Sequence, residues 1–311
     1  FACTASTWVQ AQPAADFPNR PLRIVVPYAP GGSSDSMARV VAQHLSEGLG
    51  QPVIVENKSG ASGVIGADTV AKAKPDGYTL LLHAAPLVMQ EPLGMKLPYD
   101  PIKSFAPVSM IGIAPIVIAA HPAQPYRDLK GLVAASKAAP SGLTYATPGA
   151  GSLPHLLAEL LRSSYGAKLT HAPYRGSAAA AQDVLAGHVP VLFDGYIMAG
   201  VEVSAGKLHG IALASTKRSP LLPDLPTTAE QGFPDLVASS FYGILAPAAT
   251  PRAIIDKLRA ATVTALAQPD VRKLLAKQGV DVVGSTPEEL SAYMQAERNR
   301  WSPIIKAAGV T

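Results

Sequence analysis

Two short stretches carry the residue types and spacing needed to hold an anion. They are Pro30-Gly31-Gly32-Ser33-Ser34-Asp35 and Thr147-Pro148-Gly149-Ala150-Gly151-Ser152, each placed between an expected strand and an expected helix. Glycine there lets backbone N–H groups turn outward together, and a helix start adds partial positive charge. Such a loop suits a carboxylate or phosphate oxygen. The hydroxyls of Ser33, Ser34, Thr147 and Ser152 would add donors without a fixed charge. The competing reading is plain capping, with Ser34 or Asp35 and Ser152 closing their own helices. Two loops of one kind, one in each half of the chain, favour the ligand reading.

Other chemistries fit less well. No Lys-Ser or Lys-Thr pair follows the glycines, and no Gly-x-Gly-x-x-Gly follows the first strand, which excludes the usual nucleotide loops. The glycines of Gly60-Ala61-Ser62-Gly63-Val64-Ile65-Gly66 read as a helix start and close packing. Ser152 precedes His155 by three residues and Asp194 is available elsewhere, so a hydrolase stays open, although the Gly-x-Ser-x-Gly elbow is absent. His155 on a leucine-rich helix reads first as a packed histidine. Seven scattered histidines and a single cysteine lack metal-ligand spacing, so neither metal nor cofactor is expected. Softer candidates remain. Tyr174 and Arg175 end a strand, and Arg175 is either a carboxylate partner or a surface charge. Asp194 closes an apolar strand, where it would meet a ligand donor, fix a hinge or cap a loop. Tyr28 and Tyr242 either flank a flat ligand or pack in the core.

The elements that must place these residues alternate. Strand patterns at 22–26, 52–56 and 78–82 are separated by helical periodicity at 37–49 and 64–71, a βαβ arrangement that calls for parallel pairing. A second series runs from helix 129–138 through strands 143–146, 168–173, 189–193 and 210–214, with helices 153–161 and 177–186 between them. An apolar strand at 241–246 and three helices starting near Pro251, Pro269 and Pro287 close the chain, with proline expected in each first turn. The apolar stretch around 104–126 has too short a core for a membrane span and contains Pro107 and Pro115, so it reads as one or two buried strands. Only 15% of the 311 residues are charged and the net charge is +4 without a basic run, which argues against nucleic-acid binding. Val9-Gln10-Ala11 has the character of an export cleavage site, with a lipoprotein box at Phe1-Ala2-Cys3 as the second reading.

Taken together, FPNRPLRIVVPYAPGGSSD, VENKSGASGVIGADTVAKAKPDGYTLL, YATPGAGSLPHL, HAPYRGSAAAAQDVLAGHVPVLFDG, RSPLLPDLPTTAEQGFP and ERNRWSPIIKAAGV are distinctive. The chain resembles the Bug family of extracytoplasmic solute receptors, the binding components of tripartite tricarboxylate transporters, from about Phe17 to Val310. The resemblance implies a two-lobed α/β periplasmic binding protein of type II, each lobe a mostly parallel sheet with flanking helices, joined by two crossover segments. Residues 1–16 would be a leader remnant or disordered, 17–116 with 241–311 the first lobe, and 117–240 the second. It implies a monomer that binds a small carboxylate and partners membrane transporter subunits. Carried over by position, the first ligand loop falls on Tyr28, Ala29, Gly31, Gly32, Ser33, Ser34 and Asp35. The second falls on Thr147, Gly149, Ala150, Gly151 and Ser152, with His155 completing its pattern. Ala84, Ala85, Tyr174, Arg175, Asp194 and Tyr242 complete the expected lining. The chain departs from the family pattern after Asp194 and at His83-Ala84-Ala85-Pro86, and the bulk of Tyr196 and Met198 points to a larger or flatter ligand. Besides a receptor, a small-molecule hydrolase and a ligand-presenting sensor subunit are the alternatives.

Overall fold

A computed structural model describes residues 16–309; Cys3 and the expected leader and cleavage site lie outside the described residues. The first series forms β1 (Leu22–Val26), α1 (Ser33–Leu49), β2 (Val53–Asn57), α2 (Val64–Ala71), β3 (Thr79–Ala84) and the short α3 (Pro86–Met89). β1 lies between β2 and β3 and is parallel to both, as a βαβ unit requires. The second series contributes α4 (Leu129–Ala138), β5 (Leu143–Thr147), α5 (Leu153–Tyr165), β6 (Leu169–Pro173), α6 (Ser177–Leu185), β7 (Val191–Gly195), α7 (Val201–Ser204) and β8 (His209–Leu213). There β5 is parallel to both β6 and β7.

One strand joins the two series. β4 (Phe105–Ala120) and β9 (Ser239–Pro247) place the hydrogen-bonded order at β2-β1-β3-β9-β4-β7-β5-β6. Residues Phe105 to Pro115 of β4 pair antiparallel with β9, and from Ile116 onward β4 pairs with β7 and β8. The apolar stretch expected as one or two strands is therefore a single 16-residue strand. Its prolines sit where a missing N–H matters least: Pro107 at a register shift and Pro115 at the change of partner. Among the described residues no helix is long and apolar enough to cross a membrane.

Both sheet faces are covered, which is why these strands read as nearly continuous apolar runs. Ile24, Val26, Leu80 and Leu82 face α1 and the C-terminal helices α8 (Arg252–Ala267) and α9 (Pro269–Lys277). Val25 and Leu81 face α2, α3 and the last helix, α10 (Pro287–Ala308). Proline lies in the first turn of α9 and α10 as expected, but Pro251 is the cap residue just outside α8. A two-residue strand, β10 (Asp281–Val282), adds to β4; it is too short to leave a periodic signal. Trp301 of α10 is fully buried, with its indole N–H donating to Glu297 at 3.1 Å. Trp301→Ala is expected to lower unfolding free energy by ~3–5 kcal/mol, the usual loss for a large aromatic leaving a cavity, as measured by urea denaturation.

Candidate functional site

The carboxyl ends of β1, β3, β5, β6 and β7 each lead into a turn and a helix, and the expected site residues lie at or just beyond these ends, except Tyr242, which lies within β9. The first loop leaves the start of its helix without a side-chain cap. α1 starts at Gly32, in extended conformation. Its first internal hydrogen bond runs from Ser36 N to Gly32 O, so the amides of Gly32 to Asp35 have no acceptor within the helix. Gly31 precedes them at φ +80°, a turn that glycine adopts without strain.

Asp35 holds this loop in shape. Its Oδ2 accepts from Gly31 N at 2.9 Å and from Arg39 Nε at 3.0 Å, while Oδ1 accepts from Asn57 Nδ2 at 3.0 Å. Asn57 Nδ2 also reaches the Tyr28 carbonyl. Burial tends to raise the Asp35 pKa, but the bonds from Arg39, Gly31 and Asn57 outweigh it and hold the carboxyl below the ordinary range. Asp35 thus braces the loop, with both oxygens engaged within the fold.

The second loop looks alike in sequence and differs in structure. Ser152 caps α5, its hydroxyl accepting from His155 N at 3.4 Å and donating to Gly149 O at 2.7 Å. Gly149 N donates to Thr147 Oγ1, Gly151 N to His155 Nδ1, and Ser152 N to Gly149 O. Pro154, in the first turn, has no N–H to offer. Capping therefore describes this loop, and Ala150 carries its one amide without such a partner among those from Gly149 to Ser152.

Beneath the second loop lies a polar stack. The rings of His155 and His171 are parallel with centroids 3.9 Å apart, and His171 stacks in turn on Tyr145. His171 Nε2 lies 2.7 Å from Thr147 Oγ1, and the Tyr145 hydroxyl donates to Glu159. Burial, reinforced by His155, pushes His171 down to about 3; burial likewise lowers His155. Burial thus favours the uncharged form of both imidazoles.

Between the loops, Asp194 ends β7 fully buried. Its Oδ1 accepts from Ser177 Oγ at 3.0 Å and from Gly195 N at 2.7 Å, while Oδ2 has no hydrogen-bond partner. Burial pushes its carboxyl up to about 7, against the pull of those two donors. The Tyr242 hydroxyl faces both Ser33 and Asp194, and sits 3.7 Å from where a Cβ on Gly195 would lie. β9 thereby brings the start of α1 against the end of β7.

A third wall comes from the glycine run at 60–66. Gly66 is a packing glycine as expected, since a Cβ would lie 2.7–2.8 Å from Pro27 and Lys58 O. Ala61 and Ser62, however, are held at φ 47° and 53°, and Gly63 approaches the Tyr28 hydroxyl and His83 Nε2. Neither of those polar atoms has a partner, although both are buried. Tyr28 meets His83 edge-on at 5.6 Å, and burial depresses His83 to about 4. Gln90 supports this wall by donating to Ser62 O. Two successive left-handed non-glycine residues leave no mark in composition, and His83 stands alone on an apolar strand.

The remaining expected residues divide. Ala84 pairs with Tyr242 across β3 and β9, and Ala85 is buried at the start of α3. Tyr174 donates to Asp183 of α6 and Arg175 is exposed. Tyr196 does not enlarge the site: its ring packs where a Cβ on Gly279 would lie, 2.1 Å from Cδ1. The hydrolase constellation is not assembled, because Ser152 Oγ engages backbone, His155 Nδ1 accepts from Gly151, and Asp194 bonds Ser177. Among the described residues no cluster of His, Cys, Asp or Glu could hold a metal ion.

Residues 37–310 match the model of the tripartite tricarboxylate transporter family receptor. The chain is 38% identical over 308 residues to protein BugT of Bordetella pertussis, covering 98% of this chain and 94% of that one. It is similar to the solved structure of MatC from Rhodopseudomonas palustris with bound malate, at 33% identity and TM-score 0.88, covering 93% of this chain and 100% of that one. It is also similar to R. palustris Rpa4515 with adipate, at 32% identity and TM-score 0.90, covering 94% and 99%.

The neutral histidines have a pH consequence. His83 and His171 resist protonation in the fold but take protons near 6.5 when unfolded. Their contribution is complete above pH 6.5 and is lost as pH falls. Asp194 has the opposite sign, since its raised pKa favours the fold at low pH and fades as pH rises through 7. Stability is expected to drop between pH 6.5 and 4.5, and His83→Gln is expected to make that drop shallower by up to about one proton. Urea melts across the pH series measure both slopes.

Proposed function

The chain belongs to the tripartite tricarboxylate transporter receptor family, and on that premise we propose that it is a periplasmic receptor for a small organic dicarboxylate, held between two lobes and handed to membrane transporter subunits. The observation that carries this reading is the uncapped start of α1, where four amides find no acceptor within the helix and the one carboxylate of the first turn, Asp35, is taken up by Gly31, Arg39 and Asn57. Malate in MatC and adipate in Rpa4515 support a dicarboxylate class.

One ligand carboxylate docks on the amides of Gly32 to Asp35, and the carbon chain passes Tyr242 and Asp194. The other carboxylate reaches the second loop near Ala150. No lysine or arginine is required. A micromolar receptor needs only about 8 kcal/mol net, within reach of a few hydrogen bonds to a charged group at ~1.5–3 kcal/mol each after desolvation and closure costs. Such an affinity also permits release.

The lobes are residues 17–116 with 241–311, and 117–240. Their hinge lies where β4 changes partner after Pro115 and where β9 begins at Ser239. Closure brings Leu93, after α3, against Gly151; a Cβ on that glycine would lie 2.5 Å from Leu93 Cδ1. The ligand stabilises the closed population, and that form is what the membrane partner reads.

Ser33→Pro tests the docking point. Proline suits the first helical position, and Gly32 already has the extended conformation that a following proline demands. The substitution removes one amide donor and one hydroxyl while leaving the helix start intact. Calorimetry with the best-binding dicarboxylate is expected to give a ~10–100-fold weaker affinity, with a nearly unchanged melting temperature for the ligand-free protein. Unchanged affinity would place the carboxylate elsewhere.

A further inference from the structure

Asp194 is 2% exposed, and its carboxylate is answered on one side only. Ser177 Oγ and Gly195 N both donate to Oδ1, fixing the orientation of the group, and Oδ2 is buried without a partner. Oδ2 is not compensated by charge either: the groups acting on this carboxyl are those two donors and its own burial, with no lysine or arginine among them. The neighbouring Tyr242 hydroxyl also faces Ser33 at the start of α1. Tyr242 thus links the start of α1 to the Asp194 carboxyl.

This arrangement discriminates between dicarboxylates. A plain dicarboxylate carries acceptors at its ends and carbon between them. Bound here, it would leave Oδ2 desolvated, unpaired and facing another negative charge. A ligand with a hydrogen-bond donor on its carbon chain satisfies Oδ2 and turns the repulsion into a bond. Sites built to hydrogen-bond a substrate group reject the analogue that lacks it far more strongly than apolar pockets reject a missing methylene.

We propose that Asp194 is a specificity-determining residue that reads a hydroxyl or ammonium group on the carbon chain, so that the ligand is a hydroxy- or amino-substituted dicarboxylate. This rests on the receptor reading above. Ser177 is then a positioning residue, holding Oδ1 so that Oδ2 remains available.

The test is calorimetry on the intact protein at pH 8, where Asp194 is mostly ionised. Plain, hydroxy- and amino-dicarboxylates of four, five and six carbons are compared, beginning with succinate, L-malate and L-aspartate. At the preferred length, a substituted ligand is expected to bind wild type at least ~10-fold tighter than the plain one. The hydroxy and amino arms distinguish the two donors. Asp194→Asn, checked by its melting curve, is expected to reduce the ratio to within about threefold, because its amide offers a donor where Oδ2 offered an acceptor. Equal affinity of plain and substituted ligands for wild type overturns this inference and leaves the receptor reading intact. An unchanged ratio in a folded Asp194→Asn also overturns it. Absence of binding by every dicarboxylate overturns the receptor reading itself. The wild-type ratio decides the matter even if the variant does not fold.

Discussion

A helix start leaves backbone amides without partners, and inside a protein each must find an acceptor or retain access to water. The three long helices that begin beside the cleft meet this constraint differently. α5 answers it locally through the Ser152 cap and the bonds of its own loop. α6, which begins at Gly176 without a cap, has Asp194 at its start through Ser177. α1 also begins at glycine, and Asp35 braces its loop without answering the amides of the first turn. In the proposed reading an incoming anion takes up that task, and binding strength then resides in backbone dipoles rather than in a fixed cation.

Neutral surroundings make such a site workable. His83, His155 and His171 are all pushed towards the uncharged form by burial, and Tyr28 and Tyr242 towards the protonated phenol. A buried lysine or arginine would need a counter-ion whenever the ligand is absent. Hydroxyls and amides can instead take up water when the lobes part. The low charge of the chain and its wealth of glycine and proline belong to the same solution.

β4 provides the mechanical counterpart. One strand belongs to both halves, paired with β9 before Pro115 and with β7 and β8 after it. Because β9 also carries Tyr242, the segment that joins the halves delivers a side chain to the point where their polar groups meet. The change of partner along β4 and the polar contacts of Tyr242 thus lie on two neighbouring, hydrogen-bonded strands.

Several features were legible in the sequence because they are local. The βαβ order, both glycine turns, the packing role of Gly66 and the covered sheet faces follow from periodicity and from what glycine and proline allow. The two glycine loops could not be told apart that way. Their difference depends on Asp35 meeting Asn57, on His155 turning back to Gly151, and on His171 arriving from another strand. Tyr196 looked like a ligand wall and instead fills the space beside Gly279, more than eighty residues away in the chain. Local chemistry determined where glycine turns gather amides at a helix start. Tertiary contacts decided which of those amides found acceptors, because the satisfaction of a buried donor depends on acceptors brought from distant parts of the sequence.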